Sequence, residues 1–564
     1  MQLRNLRQKN GERSNDFFEE RSPSPLSTLC YVAFVVKTLL QLWSRGEVFP
    51  SAGTRRFRRF NSQVWVRPRP RKKAAVLVEL ASGAPTSLTF SYVANALAAH
   101  LDGEISAFVA SKSKFYHLSP TLYWLLYRLF WGFVSEQGRI YRSFGATRLV
   151  VPVKSLGRLV EARKLTRLFF DSFPSKNDLE RLEVRGVRVG DLFYDTYLRT
   201  SGEPTINFSD RRFRWFLTGW VEEALYWADR IQEGRVAAVI VSHSVYNLAV
   251  PLRMALSCGV PGFQVGGGGL KRLTQDRPRP EAFFQDFPIQ FAQLSREDQE
   301  AGLAEAQSRI DRRFDGNLGV DMTYQKISAF GQPRGKRLLR ESSRPKILVA
   351  THCFSDAPHF YGINLFPDFW EWLNFLGRLT EEADFDWYLK SHPDCHGTNS
   401  MALNQIVDKF PQFSILPLEA SHHQLIEEGI TAALTVYGTI GFEYAALGVP
   451  VVNASTKNPH VGYDFNFHPQ TVQEYKNLVL RAASLRKPGE KEFRAVREYY
   501  FMTHLHSAKS NPFGLDFREH RRQVTENSGY RDHHLFGGFL SSWSLEKHDA
   551  AYEFFRLLLA QEMA

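Results

Sequence analysis

Cysteine is scarce in this chain. Cys30, Cys258, Cys353 and Cys395 lie far apart among 564 residues and form no Cys-x-x-Cys pair. That excludes a disulfide framework and fits a reducing, cytoplasmic compartment. Zinc spacing is missing too. His392, Cys395 and His396 are close, but Pro393 disturbs the local geometry, and His422-His423 stand well apart. No resident metal is expected. There is no Walker A segment and no convincing Gly-x-Ser-x-Gly or His-Glu-x-x-His. Long apolar runs are equally rare. The single candidate, LSTLCYVAFVVKTLLQLW at 26–43, carries Lys37 in its middle, which is costly inside a bilayer. No small-residue cleavage site follows it, so it reads as a buried or interface-lying helix and not as a signal peptide.

Charge is present but unevenly placed. Residues 1–73 hold 16 Lys/Arg against 5 Asp/Glu, while the rest of the chain holds 55 against 54. The basic character therefore belongs to an extension. Its dense part is Arg55, Arg56, Arg58 and Arg59, then Arg67, Arg69, Arg71, Lys72 and Lys73. Such a run fits either a solvated tail or attraction to an anionic membrane leaflet, at about 1 kcal/mol per basic residue. No nucleic-acid reader motif follows, and nucleic acid is not an expected partner.

Order is expected from Ala74 onward. AAVLVEL at 74–80 is a short apolar run bounded by the turn-like ASGAPTS, and reads as a buried parallel strand. Helical spacing over 88–101 and a strand at 104–110 follow. VAAVIV at 236–241 is another buried strand, followed by Ser242-His243-Ser244. GQPRGKRLLRESSRP at 331–345 reads as a linker, after which KILVA at 346–350 restarts the alternation. Strands at 385–390, 413–417, 432–436 and 449–453 complete a second set. The expectation is an α/β protein with two Rossmann-like domains facing a cleft. The expected boundaries are 1–73 for a basic extension, 74–335 for the first domain, 336–480 for the second, and 481–564 for a C-terminal helical extension.

In such folds ligands sit at the carboxyl ends of the strands, and that is where the polar motifs fall. Strand 432–436 ends at Tyr437-Gly438, and Thr439 is placed to cap the helix that follows. A helix start of this kind accepts phosphate. Glu443, four residues on from Thr439, shares its helix face and is positioned to hold ribose hydroxyls. An ordinary αβ unit with an exposed glutamate is the alternative. Strand 385–390 delivers His392 to a loop that Pro393 fixes; His392 is a candidate donor to a phosphate, with Lys390 adding positive charge, or else a satisfied loop histidine. THCFSDAPH at 351–359 opens the second domain; His352 and Ser355 are candidates for contacting sugar or phosphate, and Asp356 for a base or sugar ligand. In the first domain, His243 faces the cleft as a candidate general base, or else is a structural histidine beside a capped helix.

THCFSDAPHFYGINLFPDFWEWL, YLKSHPD and TVYGTIGFEYAALGVPVVN together resemble bacterial capsule and surface-polysaccharide biosynthesis proteins. The nearest group is the capsule Kdo-transferase-like proteins, which share a His-Pro motif with bacterial sialyltransferases. VIVSHSVYNLAVPLRMAL resembles the end of their first domain. The resemblance spans about residues 236–270 and 346–455. It implies a GT-B glycosyltransferase without the Asp-x-Asp metal clamp. It further implies a nucleotide-sugar donor, CMP-linked by likeness alone, held by His392, Pro393, Gly438, Thr439 and Glu443. It implies no cofactor, since the nucleotide sugar is a substrate. The implied acceptor is a bacterial surface polysaccharide or glycolipid, at the cytoplasmic face of the inner membrane. A nucleotide-sugar 2-epimerase, a glycerophosphotransferase of the same fold, and a non-catalytic polysaccharide assembly or export protein are the alternatives.

Overall fold

The computed structural model describes residues 51–65, 74–81, 83–109, 135–266, 269–318, 320–321, 328–331, 335–392, 398–506, 512–527 and 530–564. The apolar run 26–43, most of the basic extension and Pro393 lie outside the described residues.

Two sheets organise the chain. In order, β1 (Ala75–Glu79), β2 (Glu104–Phe108) and β3 (Arg148–Val150) come first. A small hairpin of β4 (Glu183–Val184) and β5 (Val187–Arg188) follows, then β6 (Val236–Val241), β7 (Gly262–Gly266) and β8 (Gly269–Leu273). The first sheet runs β3-β2-β1-β6-β7-β8, all parallel except β8. The second is built from β9 (Lys346–Ala350), β10 (Asp386–Lys390), β11 (Phe413–Ile415), β12 (Ile430–Thr435) and β13 (Val451–Asn453). Its order is β11-β10-β9-β12-β13, parallel throughout. Each sheet thus reverses its winding direction beside its first strand, which makes a crevice between β1 and β6 and another between β9 and β12. The carboxyl ends of the two sheets face each other. This is the two-domain α/β arrangement of GT-B type that the sequence led us to expect.

The strands are apolar on both faces because both faces are covered. Leu77, Val239 and Val241 enter one core, whereas Val76, Val78, Ala238 and Ile240 enter the other. The helix Ala84–His100 lies between β1 and β2 and is buried nearly all round, from Ser87 to Ala98. A helix without a polar face needs cover on every side. The cover comes from both ends of the chain. Helices His534–Ser541 and Leu545–Met563 pack over it, and helix Ala52–Val64 packs on the former. Phe57 stacks on Phe536 at 4.2 Å, Tyr92 and His548 share a 2.8 Å hydrogen bond, and Asp532 accepts the Ala84 N–H at 2.6 Å.

Packing therefore departs from the expected boundaries. Helix Arg296–Phe314, expected in the first domain, packs with Phe442 of the second and with helix Glu490–Tyr500. Residues 335–345 also lie against the second sheet: Glu428 accepts the Leu338 and Leu339 N–H groups, and the Tyr388 hydroxyl accepts that of Arg340. The C-terminal helices after 512 return to the first domain, and helix Ala52–Val64 belongs to its core. The reason is burial. Linear charge and linker composition do not report which apolar surface a helix covers.

Phe555 sits fully buried in that cover. Phe555→Ala is expected to destabilise the first domain by about 3–5 kcal/mol in urea unfolding. Leu557→Ala, at a position 52% exposed on the same helix, should change stability by no more than about 0.5 kcal/mol.

Candidate functional site

The facing carboxyl ends meet through side chains. Tyr246, shortly after β6, donates its hydroxyl to Asp356 Oδ1, shortly after β9, at 2.5 Å. Arg199 approaches the same carboxylate at 3.8 Å. Tyr246 is held at φ +57°, a conformation that costs energy for a bulky residue and is retained mainly where the surrounding structure enforces it. Asp356 is exposed, so this contact lies at an open margin of the cleft.

At the crevice of the first sheet, the carboxylate of Glu79 closes the gap between β1 and β6. Its Oε2 accepts the Ser242 N–H at 2.6 Å and the Ser242 hydroxyl at 2.8 Å. Burial raises the Glu79 pKa, and those two bonds offset only part of the rise. Ser242 Oγ lies 3.0 Å from His243 Nδ1. The serine has one proton, and Glu79 takes it. Ser242 therefore accepts from Nδ1–H, which leaves Nε2 as the unprotonated nitrogen. The His243 ring is solvent-accessible but stands in crowded surroundings. Loss of hydration, and to a lesser extent the Arg521 guanidinium, lower its pKa. The ring is thus a neutral imidazole with its tautomer fixed, the form a general base requires.

The second crevice is already spanned from within. His352 Nε2 lies 3.1 Å from Thr435 Oγ1 and accepts the N–H groups of Val436 and Tyr437 at 3.3 and 3.4 Å. Its ring stacks on Phe369 at 4.6 Å. Burial lowers its pKa to about 3, with His392 adding to the effect. Nε2 is therefore engaged with the backbone at the end of β12, and the expected sugar or phosphate contact through that atom is not available. Thr435 Oγ1 also accepts the Gly438 N–H at 3.2 Å.

Other expected contacts differ as well. Thr439 makes no side-chain cap, and the helix it precedes, Ile440–Ala446, is short. Glu443 does not stand in open space. It is 2% exposed and accepts from Arg313 Nε at 2.9 Å and from Nη2. A ribose contact would have to displace Arg313. A carboxylate on an apolar helix could not be buried without such a partner, and Arg313 arrives from a helix 130 residues earlier in the chain. Lys390 ends β10, buried, with Nζ donating to Leu418 O at 2.8 Å. Burial lowers its pKa to about 8, although Glu419 and Glu443 oppose the shift. His392 lies close enough to influence His352, and Ser355 flanks Asp356, its hydroxyl 3.8 Å from Cys353 Sγ. The structure thus brings Tyr246 and Asp356 together, clusters His352 with the Gly438 turn, and leaves His243 on the opposite wall. Among the described residues no group of three or more His, Cys, Asp or Glu is arranged to hold a metal.

Behind the open margin lies a buried charged seam. His359 Nδ1 bonds Asp195 at 2.6 Å and Nε2 lies 3.1 Å from Glu180, both from the first domain. Burial opposes a charge on the ring, but Asp195 and then Glu180 outweigh it and raise the pKa to about 10. Next to it Asp191 is held by Arg253 and Arg279. Burial would raise the Asp191 pKa, and the two guanidiniums instead bring it well below the usual range. Tyr194 and Thr205 donate to Asp368 of the second domain. The sequence pattern gives no role to His359 and does not single out Glu79, Asp195 or Arg313. Glu79 had a visible signal, as the one charge closing an apolar strand. The others depend on contacts far apart in sequence.

No family model and no curated protein matches the chain. Among solved structures it is similar to a UDP-GlcNAc 2-epimerase from Neisseria meningitidis bound to UDP-GlcNAc, at 8% identity and a TM-score of 0.20, over 83% of this chain and 100% of that one. It is also similar to the glycosyltransferase VinC in complex with DTDP, at 11% identity and a TM-score of 0.21, over 77% and 97% of the two chains. The calicheamicin glycosyltransferase CalG4 gives 13% identity and a TM-score of 0.24, over 81% and 100%. Likeness at this level assigns no activity.

The charged His359 ring has a pH consequence. Its pKa is raised on folding, so its stabilisation is complete below about pH 6.5 and is lost as pH rises through about 10. Unfolding midpoints measured across that window should fall for the wild type. His359→Gln removes the cation between Glu180 and Asp195 and leaves Glu180 with only the exposed Arg181, at 3.7 Å. It should cost about 3–5 kcal/mol at neutral pH and lose that part of the pH dependence.

Proposed function

We propose that the protein is a metal-independent glycosyltransferase, which moves a sugar from a nucleotide-sugar donor to an acceptor hydroxyl in the cleft. The observation that carries this reading is the Glu79–Ser242–His243 chain at the carboxyl edge of the first sheet. His243 Nε2 takes the proton of the acceptor hydroxyl as its oxygen bonds the sugar and the nucleotide leaves. Ser242 and Glu79 hold the tautomer and steady the imidazolium that forms. Lys390 and His392 offset charge growing on the departing phosphate, the kind of term that is usually largest. Asp356, oriented by Tyr246 and Arg199, binds the transferring sugar. Gly438 and Thr439 line the nucleotide's rim, and Glu443 takes the ribose by exchange with Arg313. Resemblance in the sequence supports a bacterial surface polysaccharide or glycolipid as acceptor, a CMP-linked donor, and work at the cytoplasmic membrane face with residues 1–73 on an anionic leaflet.

Donor screening by product mass, with melting temperature followed in CMP, UDP and GDP, tests this directly. Stabilisation by at least one nucleotide is expected; no shift with any of them would sink the reading. Free altered nucleotide sugar made without acceptor would point to an epimerase, turnover of CDP-glycerol to a glycerophosphotransferase, and normal polymer from a His243→Ala strain to an assembly or export role. His243→Ala should lower kcat by roughly 10²–10⁴ with little change in nucleotide binding. Ser242→Ala should give a smaller loss and shift the acidic limb of the pH profile, where His243 gains its proton.

Lys390 sets a second pH dependence. Its ammonium form is lost as pH rises through about 8, so nucleotide affinity should weaken across that point. Lys390→Met should bind weakly at every pH, and isothermal titration would show whether the pH dependence disappears with it.

A further inference from the structure

The helix Leu156–Asp171 follows β3 and packs along Arg211–Gln232 through Ala162, Thr166 and Phe170. Its outer face is unusual. Leu156 is 78% exposed, Val160 58% and Leu168 56%, and Phe173 just beyond it is 93% exposed. Arg163, Lys164 and Arg167 are exposed on the same face. At about 100° per residue, these three apolar and three basic helix positions share an arc of roughly 140°, with Asp171 the one acid among them. The neighbouring helix extends the pattern. It runs antiparallel, since Arg158 meets Asp229 at one end and Arg214 lies over Phe170 at the other. Exposed Arg211, Arg214 and Trp215 therefore stand near Leu168 and Phe173.

We propose that this face docks on an anionic lipid bilayer. Large apolar side chains left in water at this density mark an interaction site. Basic residues interleaved with leucine, phenylalanine and tryptophan suit the headgroup boundary, where the rings and aliphatic chains sink and the cations meet lipid phosphates. A second copy of this chain fits less well, because a two-fold contact would set Arg163, Lys164 and Arg167 against their own equivalents. The face is separate from the basic extension of residues 1–73. It starts where β3 ends, on the same edge of the sheet as Ser242 and His243. Docking itself does not depend on the transferase reading; its use, presenting a lipid-borne acceptor to His243, does.

The test uses the full chain and vesicles of phosphatidylcholine with or without phosphatidylglycerol, read by co-sedimentation. One variant carries Leu156→Ser, Val160→Ser and Leu168→Ser; a second carries Arg163→Glu, Lys164→Glu and Arg167→Glu; a third is Phe173→Ser alone. The first two should each lower partitioning onto anionic vesicles by about tenfold or more. The third should lower it measurably, and all three should keep the wild-type melting temperature. Wild-type partitioning in the first two variants would overturn the proposal and leave any adhesion to the N-terminal extension. So would sedimentation velocity showing a wild-type dimer that these variants split, with vesicle binding unchanged. Loss of binding in the variants, with transferase activity never found on any donor, would still uphold docking and count only against the catalytic reading.

Discussion

One buried imidazolium holds the two halves of this molecule in register. His359 lies between Asp195 and Glu180, with no water-exposed surface. Two carboxylates taken out of water need a cation between them, and a cation there needs both carboxylates. The neighbouring Asp191 is matched by Arg253 and Arg279 on the same terms. Asp191, Arg253 and Arg279 all belong to the first domain, so it is the His359 charge, matched only at one relative position of the two sheets, that fixes the distance between their carboxyl edges. The span from His243 to Lys390 follows from that constraint and not from either domain alone.

The crevices beside β1 and β9 are bridged by residues of unlike chemistry. A glutamate closes the first, through a serine that meets His243 Nδ1. A neutral histidine closes the second and faces the backbone. The same fold position therefore supplies a candidate reactive group on one side and a structural brace on the other. On the transferase reading proposed above, the base comes from the first domain's wall and the second contributes charge through Lys390.

Much of the fold was legible because strand signals are local. VLV, VAAVIV, KILVA and AALT are runs too apolar to be anything but buried, and each is a strand. Polar residues also gather where strands end, as at Ser242, His352 and Lys390. What was not legible is the partner of each polar residue. Glu443 reads as a free helix-face acid until Arg313 appears beside it. His352 reads as a ligand until the N–H groups at the end of β12 are seen to need an acceptor. Helix Arg296–Phe314 is a related case: it follows the first domain in sequence but covers apolar surface around Phe442. Such choices are settled by long-range burial, which leaves no periodic trace.

The apolar helix Ala84–His100 carries a consequence for how the protein is made. Its cover includes residues 534–563, and its first N–H is accepted by Asp532. A ribosome adding about 5–20 residues per second would need roughly 20–90 s to move from one to the other. Through that interval the nascent first domain has a finished sheet and a bare greasy helix. Its apolar surface gains this cover only once residues 534–563 have emerged.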